Sequence, residues 1–282
     1  MKNDDRFTEI LQKLTAQYNN GETVDPNGKE YAQFQCDVYN ETTGNRHEYD
    51  GYNCPHCKNK GYIHIVRENP FSGAFVTAQR DCKCMKMRDT INRAKRSGLG
   101  NILIDYKFDK YETPEEWQQT LKAAAQKFCT DEGATWFYIG GQTGAGKTHL
   151  CTAIAAHYIK AGYDCAYMLW VDDAIKLKSV KNDFEKYQPM INRFKNVDVL
   201  YIDDYLKTQD GTTPTFADVQ LSFELLNSRM TDRSKITIIS SELTLPRLLE
   251  IDEATAGRIY QLTGGYKLNI AKDMNKNYRL KQ

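Results

Sequence analysis

The chain has 282 residues and a mass of 32.5 kDa, room for one large domain or for a domain and a smaller module. Hydrophobic residues make up 40% and aromatics 11%, enough for a sizeable core, which excludes wholesale disorder. The net charge of +1 hides a segregation: residues 1–53 carry −5, residues 54–110 carry +7 and the remainder −1. No apolar run approaches the ~18 residues of a membrane span. The start, Met1-Lys2-Asn3-Asp4-Asp5-Arg6, has no signal-peptide stretch, so a cytoplasmic protein with no membrane partner is expected. In that compartment eight cysteines point to metal ligands or buried thiols rather than disulfides.

In chain order, Phe7, Ile10, Leu11 and Leu14 repeat with helical spacing and predict an amphipathic helix within residues 1–20 that needs a partner to bury its one apolar face. Residues 21–53 are polar, lack periodicity and read as extended or irregular. Residues 1–53 are thus expected to form a helical and irregular partner-binding segment. Residues 54–88 are expected to be a small metal-binding module, residues 89–110 a basic linker, and residues 111–282 the main domain. Within this region residues 85–97 are basic and helix-compatible, ending at Gly98-Leu99-Gly100. From residue 134 onward strands and helices alternate. Strands are predicted at 135–139, 165–171, 197–202 and 236–240, and helices at 147–161, 183–195 (across Pro189) and 216–230. This alternation predicts an α/β fold with a parallel sheet flanked by helices.

The metal module rests on Cys54-Pro55-His56-Cys57, a C-x-x-C knuckle, and Cys82-Lys83-Cys84, a C-x-C pair. Between them, stretches around Ile63 and Phe75 read as hairpin strands. Two cysteine pairs on turns suit one tetrahedral Zn²⁺ with thiolates at about 2.3 Å, and the metal would supply most of the folding energy of so small a module. An iron–sulfur cluster also accepts four cysteines, and unligated thiols are the third reading. His56 and His64 are alternative ligands. His56 is expected to point out of the knuckle, and His64 alternates with apolar strand residues. Cys151 and Cys165 read as core thiols.

Gly141-Gln142-Thr143-Gly144-Ala145-Gly146-Lys147-Thr148 matches G-x-x-x-x-G-K-[ST] in full, with an apolar strand before it and a helix after it. The glycines let successive N–H groups face phosphate oxygens, Lys147 brings charge to the β and γ phosphates, and Thr148 offers its hydroxyl to Mg²⁺. Val199-Leu200-Tyr201-Ile202-Asp203-Asp204 then delivers two carboxylates at the C-terminal edge of a buried strand. Asp203 is expected to hold Mg²⁺ through its water shell, and Asp204 to orient or deprotonate the attacking water.

With these motifs, the sequence resembles AAA+ ATPases and, among them, bacterial helicase loaders of the DnaC/DnaI type, particularly versions from phages and mobile elements. The resemblance covers about residues 54–282. It is carried by Asp203-Asp204-Tyr205-Leu206-Lys207, Asn227-Ser228-Arg229, Thr237-Ile238-Ile239-Ser240-Ser241-Glu242-Leu243, Ile251-Asp252-Glu253-Ala254, Ala256-Gly257-Arg258-Ile259 and Asn277-Tyr278-Arg279-Leu280-Lys281. It implies an AAA+ P-loop ATPase core, preceded by a small zinc module like that of DnaI-type loaders, using ATP, Mg²⁺ and Zn²⁺. It implies that Ser240 and Ser241 lie at the γ-phosphate-sensing position, where many relatives carry Asn, and that Arg258 is an arginine finger acting on a neighbouring subunit. Backbone groups of Tyr106 to Phe108 would read adenine; the other reading of Phe108 and Tyr111 is that they seal the core. Asp204 stands where many AAA+ proteins have Glu, and the helical lid of larger members is not evident. The partners implied are a replicative hexameric helicase, single-stranded DNA and further copies of the chain, head to tail. Lys83, Lys86, Arg88, Arg93, Lys95 and Arg96 are candidates for contacting phosphates or an acidic helicase surface. Two alternatives stand beside this: an IstB-like transposition helper that binds duplex DNA and a transposase, and a non-hydrolysing nucleic-acid-binding scaffold.

Overall fold

A computed structural model describes residues 25–100, 102–208 and 212–280. The helix predicted within residues 1–20 lies outside the described residues. The chain divides into two compact units, Met1–Asn92 and Arg93–Gln282.

In the first unit a hairpin of β1 (Tyr62–Glu68) and β2 (Phe75–Asp81) pairs antiparallel, with Tyr62 opposite Asp81 and Glu68 opposite Phe75. Residues 21–53, irregular by sequence, instead hold α1 (Lys29–Glu41) and the single turn α2 (His47–Asp50). The buried face of α1 is built from Ala32 and Cys36, two small side chains at i, i+4 that pack over both strands of the hairpin. So small a stripe leaves no hydropathy signal. Asn40 ties α1 to β1 with a pair of bonds, donating to the His64 carbonyl (2.9 Å) and accepting from the His64 amide (2.8 Å). Helix α3 (Cys84–Ser97) begins at the last cysteine of the two pairs, and the single turn α4 (Ile102–Asp105) follows it in the chain.

The second unit is built on a five-stranded, all-parallel sheet in the order β4 (Cys165–Leu169), β5 (Val199–Asp203), β6 (Ile236–Ser241), β3 (Trp136–Gly141), β7 (Lys267–Ile270). All residues of β3, β5 and β6 are buried because helices cover both faces. Side chains alternate between the two faces. Trp136, Tyr138, Leu200, Ile202 and Ile239 pack with α8 (Phe184–Asn196) and α9 (Phe216–Met230); Phe137, Ile139, Val199, Tyr201 and Ile238 pack with α5 (Glu116–Thr130) and α6 (Lys147–Ala161). The predicted α/β parallel architecture is the one observed.

Three local differences have physical reasons. Strand β4 stops at Leu169 rather than residue 171, because the Leu169 amide donates to Asp173 Oδ2 (3.0 Å) and starts α7 (Trp170–Ser179). Strand β7 went unread because its four residues, Lys-Leu-Asn-Ile, form a short edge with little apolar density. Arg229, one of the residues carrying the resemblance, is fully buried and acts as a structural staple. Its guanidinium donates to the carbonyls of Phe194, Lys195, Val197, Asp198 and Ile236 and to Thr237 Oγ1, at 2.7–3.2 Å. It thereby caps the end of α8 and fastens the entries to β5 and β6. Burial lowers its pKa to about 10, and the nearby Asp232 and Asp198 carboxylates act against that shift.

Candidate functional site

Strands β5, β6 and β3 are neighbours, so their C-terminal ends bring Asp203, Ser240 and the P-loop together. Gly146 takes φ +82° to start α6, and a Cβ there would press on the Tyr111 ring at 2.8 Å; only glycine suits this turn. Lys147 is buried, with Nζ donating to the carbonyls of Gly141 (2.8 Å) and Gln142 (2.7 Å). Desolvation pulls its pKa down, opposed by the carboxylates of Glu242, Asp204 and Asp203. Thr148 Oγ1 donates to Asp203 Oδ1 at 3.2 Å although the two are 55 residues apart. The same carboxylate accepts the Ser240 hydroxyl, the Asp204 amide (3.1 Å) and, at Oδ2, the Tyr167 hydroxyl (3.1 Å). Asp203 is thus held by groups from β4, β6 and α6, beside a hydroxyl of the kind that ligates Mg²⁺. This donor set, a carboxylate and a hydroxyl with room for water, fits that ion.

A cavity of about 400 Å³ opens in front of these groups. It is lined by Thr143 to Thr148, by Asp204, Lys207 and Glu242, and by Tyr106, Tyr111 and His149. Tyr106 stacks on His149 (centroids 4.9 Å apart, planes at 19°), and His149 Nε2 donates to the Lys107 carbonyl at 2.8 Å. Sequence reasoning found Tyr106 but missed His149, whose one signal is its place directly after Gly-Lys-Thr. Phe108 is not among the residues lining this cavity. It packs on the hydrophobic cluster around Phe128.

The C-terminal tail was a second omission. Tyr278 and Arg279 also line the cavity, and the Asp273 amide donates to Gln142 Oε1 at 2.8 Å. The Tyr278 amide reaches the Gly144 carbonyl, and Asn277 lies so close to Gly144 (φ +74°) that a Cβ there would fall 1.9 Å from Asn277 Oδ1. The two serines diverge. Ser240 touches Asp203, whereas the Ser241 hydroxyl donates to the Tyr205 carbonyl (2.7 Å) and accepts the Leu243 amide (3.1 Å), away from the cavity. Past the short helix α10 (Leu245–Ile251), Arg258 is exposed on α11 (Glu253–Thr263), outside this lining, where Nη1 donates to Asn227 Oδ1 at 2.8 Å.

In the first unit the four cysteine sulfurs, Cys54, Cys57, Cys82 and Cys84, are buried and lie within 4.8 Å of one another. Cys54 Sγ and Cys82 Sγ are 3.9 Å apart and Cys57 Sγ and Cys84 Sγ 3.6 Å. A tetrahedron of 2.3 Å bonds has edges of about 3.8 Å, so the spacing fits Zn²⁺ and is far too long for a disulfide at about 2.05 Å. The knuckle places Lys58, Asn59 and Gly61 at positive φ and aims the Gly61 amide at Cys57 Sγ (3.3 Å). His56 is exposed, and the His64 ring lies against Tyr39 and Tyr62; neither joins the cluster.

Arg88, expected on a basic surface, is buried instead. It donates to both Asp50 carboxylate oxygens (2.6 and 2.5 Å) and to Asn59 Oδ1 (3.1 Å), which also accepts the Cys54 amide. Lys83, Lys86, Lys95 and Arg96 remain exposed, and Arg93 is half-buried. Among the described residues no helix is long and apolar enough to cross a membrane.

The family model described as "IstB-like ATP binding protein" matches residues 77–252. The chain is similar to the phage-like element PBSX protein XkdC of Bacillus subtilis (strain 168), with 33% identity over 78% of this chain and 82% of that protein. It is also similar to the replicative helicase loader DnaC of Buchnera aphidicola subsp. Acyrthosiphon pisum, at 26% identity over 44% of this chain and 51% of that one. A crystal structure of DnaI aligns with a TM-score of 0.47 at 18% identity, covering 61% of this chain and 92% of that one. With its complete P-loop set against the Asp203 strand, the chain belongs to the IstB-like ATP-binding family, and its second unit is an IstB/DnaC-like AAA+ domain.

Proposed function

We propose that the protein is an ATP-hydrolysing loader that binds a replicative hexameric helicase and helps place it on single-stranded DNA. The observation that carries the ATPase reading is the contact of Asp203 with Thr148, which lines the P-loop cavity. In this reading the P-loop amides and Lys147 hold the phosphates, and Thr148 and Asp203 hold Mg²⁺. When bound, that ion neutralises charge on the β and γ oxygens. Asp204, at the cavity wall, orients the attacking water and accepts its proton. Tyr106 and His149 flank the base. Ser240 fixes Asp203, and Arg258, exposed and outside its own cavity, acts on the nucleotide of the next subunit. The Cys54, Cys57, Cys82 and Cys84 cluster holds a structural Zn²⁺. The helicase partner is supported by the similarity to a protein named as a helicase loader. Single-stranded DNA is a proposed ligand of the assembled subunits, with the exposed Lys83, Lys86, Lys95 and Arg96 as candidate phosphate contacts.

The test mixes the purified chain with the replicative helicase of its host, with and without Mg·ATP, and reads complex formation by gel filtration. Co-elution is expected, and separate elution under both conditions would remove the loader reading. A second reading, a transposition helper acting on duplex DNA with a transposase, is favoured by the description of the matching family model. It would show as preferred binding of duplex over single-stranded DNA.

A further inference from the structure

The turn after β5 carries a cation that the phosphate site described above does not use. Residues 204–207 fold back sharply: Asp204 and Leu206 take φ of +52° and +56°, and the Lys207 amide donates to the Asp204 carbonyl at 3.0 Å. Left-handed backbone at two non-glycine residues is unfavourable and persists only where its surroundings impose it. Its effect here is to sort the side chains. Tyr205 and Leu206 go into the core, while Asp204 and Lys207 both face the cavity.

Lys207 Nζ donates to Asp204 Oδ2 (3.2 Å) and to Glu242 Oε1 (2.9 Å). Glu242 follows the two serines at the end of β6 and lines the same cavity. A carboxylate in a pocket that takes a triphosphate is a liability, since like charges facing each other repel. Lys207 removes that liability by neutralising it. An ammonium group has three N–H donors, and Asp204 and Glu242 take two of them. The same cavity is lined by Thr143 to Thr148 of the P-loop, which leaves the third N–H for a phosphate seated there.

We propose that Lys207 is a γ-phosphate-binding residue that distinguishes ATP from ADP, with Glu242 as its anchor and competitor. This inference rests on the P-loop cavity being a nucleotide site. A third phosphate gives Lys207 an acceptor of higher charge than Glu242, and because the same ammonium also holds Asp204, its engagement reports the γ-phosphate to the carboxylate proposed to handle the water. The diphosphate offers no such acceptor. Charges on the two sides agree with the assignment: Lys207 has its pKa raised, where burial works against the bonds and charges of Glu242 and Asp204. Glu242 has its pKa lowered, where burial is outweighed by Lys207, Thr143 and Lys147.

The experiment is calorimetric titration of the full-length protein with Mg²⁺ and either the β,γ-methylene analogue of ATP or ADP. Lys207→Met should weaken the triphosphate about ten- to a hundred-fold, the worth of one charge-assisted hydrogen bond, and change ADP less than about threefold. Glu242→Gln keeps the cation and removes its competitor, so the preference for triphosphate over ADP should rise. Retained ADP binding shows that the site is folded. The proposal is overturned if Lys207→Met leaves the ratio of the two affinities at the parental value, or if Glu242→Gln lowers that ratio. Loss of both nucleotides from the parent protein would instead refute the nucleotide site itself.

Discussion

The amide of Tyr278 donates to the carbonyl of Gly144 across 3.0 Å, so the segment that carries Tyr278 lies on the P-loop. With Asp273 bonded to Gln142 and with Tyr278 and Arg279 lining the cavity, this segment forms part of the cavity wall. Arg279→Ala should therefore weaken ATP about tenfold, the scale of one bond to a charged group. Gly144→Ala should do at least as much damage, because a Cβ at φ +74° collides with Asn277. Fluorescence titration with a labelled ATP analogue checks both; parental affinity in Arg279→Ala would show that the tail only packs.

The cysteine geometry predicts one Zn²⁺ per chain. Elemental analysis of purified protein should give that ratio, and iron, or no metal, would dismiss the site as assigned. Stripping the metal with a chelator at neutral pH should unfold the first unit, whose remaining core is small.

Arg88 and Asp50 form a buried pair, with side chains 2% and 5% exposed. Removing one partner leaves an uncompensated charge, so Arg88→Met should destabilise the first unit by about 3–5 kcal/mol. Replacing both residues by apolar ones of similar volume should recover much of that. Urea unfolding of the zinc-loaded protein measures the difference. An Arg88→Met variant as stable as the parent would contradict the ion pair.

The phosphate site also gives a separation of functions. Lys147→Ala should abolish ATP binding. Asp204→Asn should bind ATP and lose at least about a hundred-fold in hydrolysis, since the proton acceptor is lost while Lys147 and Thr148 remain. Hydrolysis by Asp204→Asn at the parental rate would show that another group handles the water.

What could be read from sequence follows the range of the interactions. The P-loop, the Asp203-Asp204 strand end and the two cysteine pairs are local patterns whose spacing is itself the chemistry. The Lys207–Glu242 bond spans 35 residues, Arg88–Asp50 spans 38 and Asp273–Gln142 spans 131. Nothing near any of these residues announces its partner. Arg88 looked like one more basic residue in a basic stretch because burial is decided by α2, not by its own helix neighbours. Helix α1 was missed because two small residues make its buried face, and β7 because edge strands need few apolar residues. Arg229 and Arg258 were both singled out by resemblance alone. The structure separates them: one is consumed by six bonds inside the fold, the other stands exposed on its surface.

That exposure leads to the last prediction. Arg258 is outside the lining of its own cavity and is bonded at the surface to Asn227, so in the proposed reading it serves a nucleotide bound by another copy. Such a contact joins two different faces of the chain and builds a ring or an open spiral rather than a two-fold dimer. Hydrolysis should rise faster than linearly with protein concentration, and single-stranded DNA or the helicase should promote it by aligning subunits. Arg258→Ala and Lys147→Ala should each be inactive, by up to about 10³–10⁵-fold for a lost arginine finger. Mixed, they should partly rescue one another, because some interfaces then join an intact Lys147 on one side to an intact Arg258 on the other. The measurement is steady-state ATPase of the mixture against each variant alone, under conditions where the parent assembles. Absence of rescue there, or full activity of Arg258→Ala by itself, would refute a finger acting between subunits.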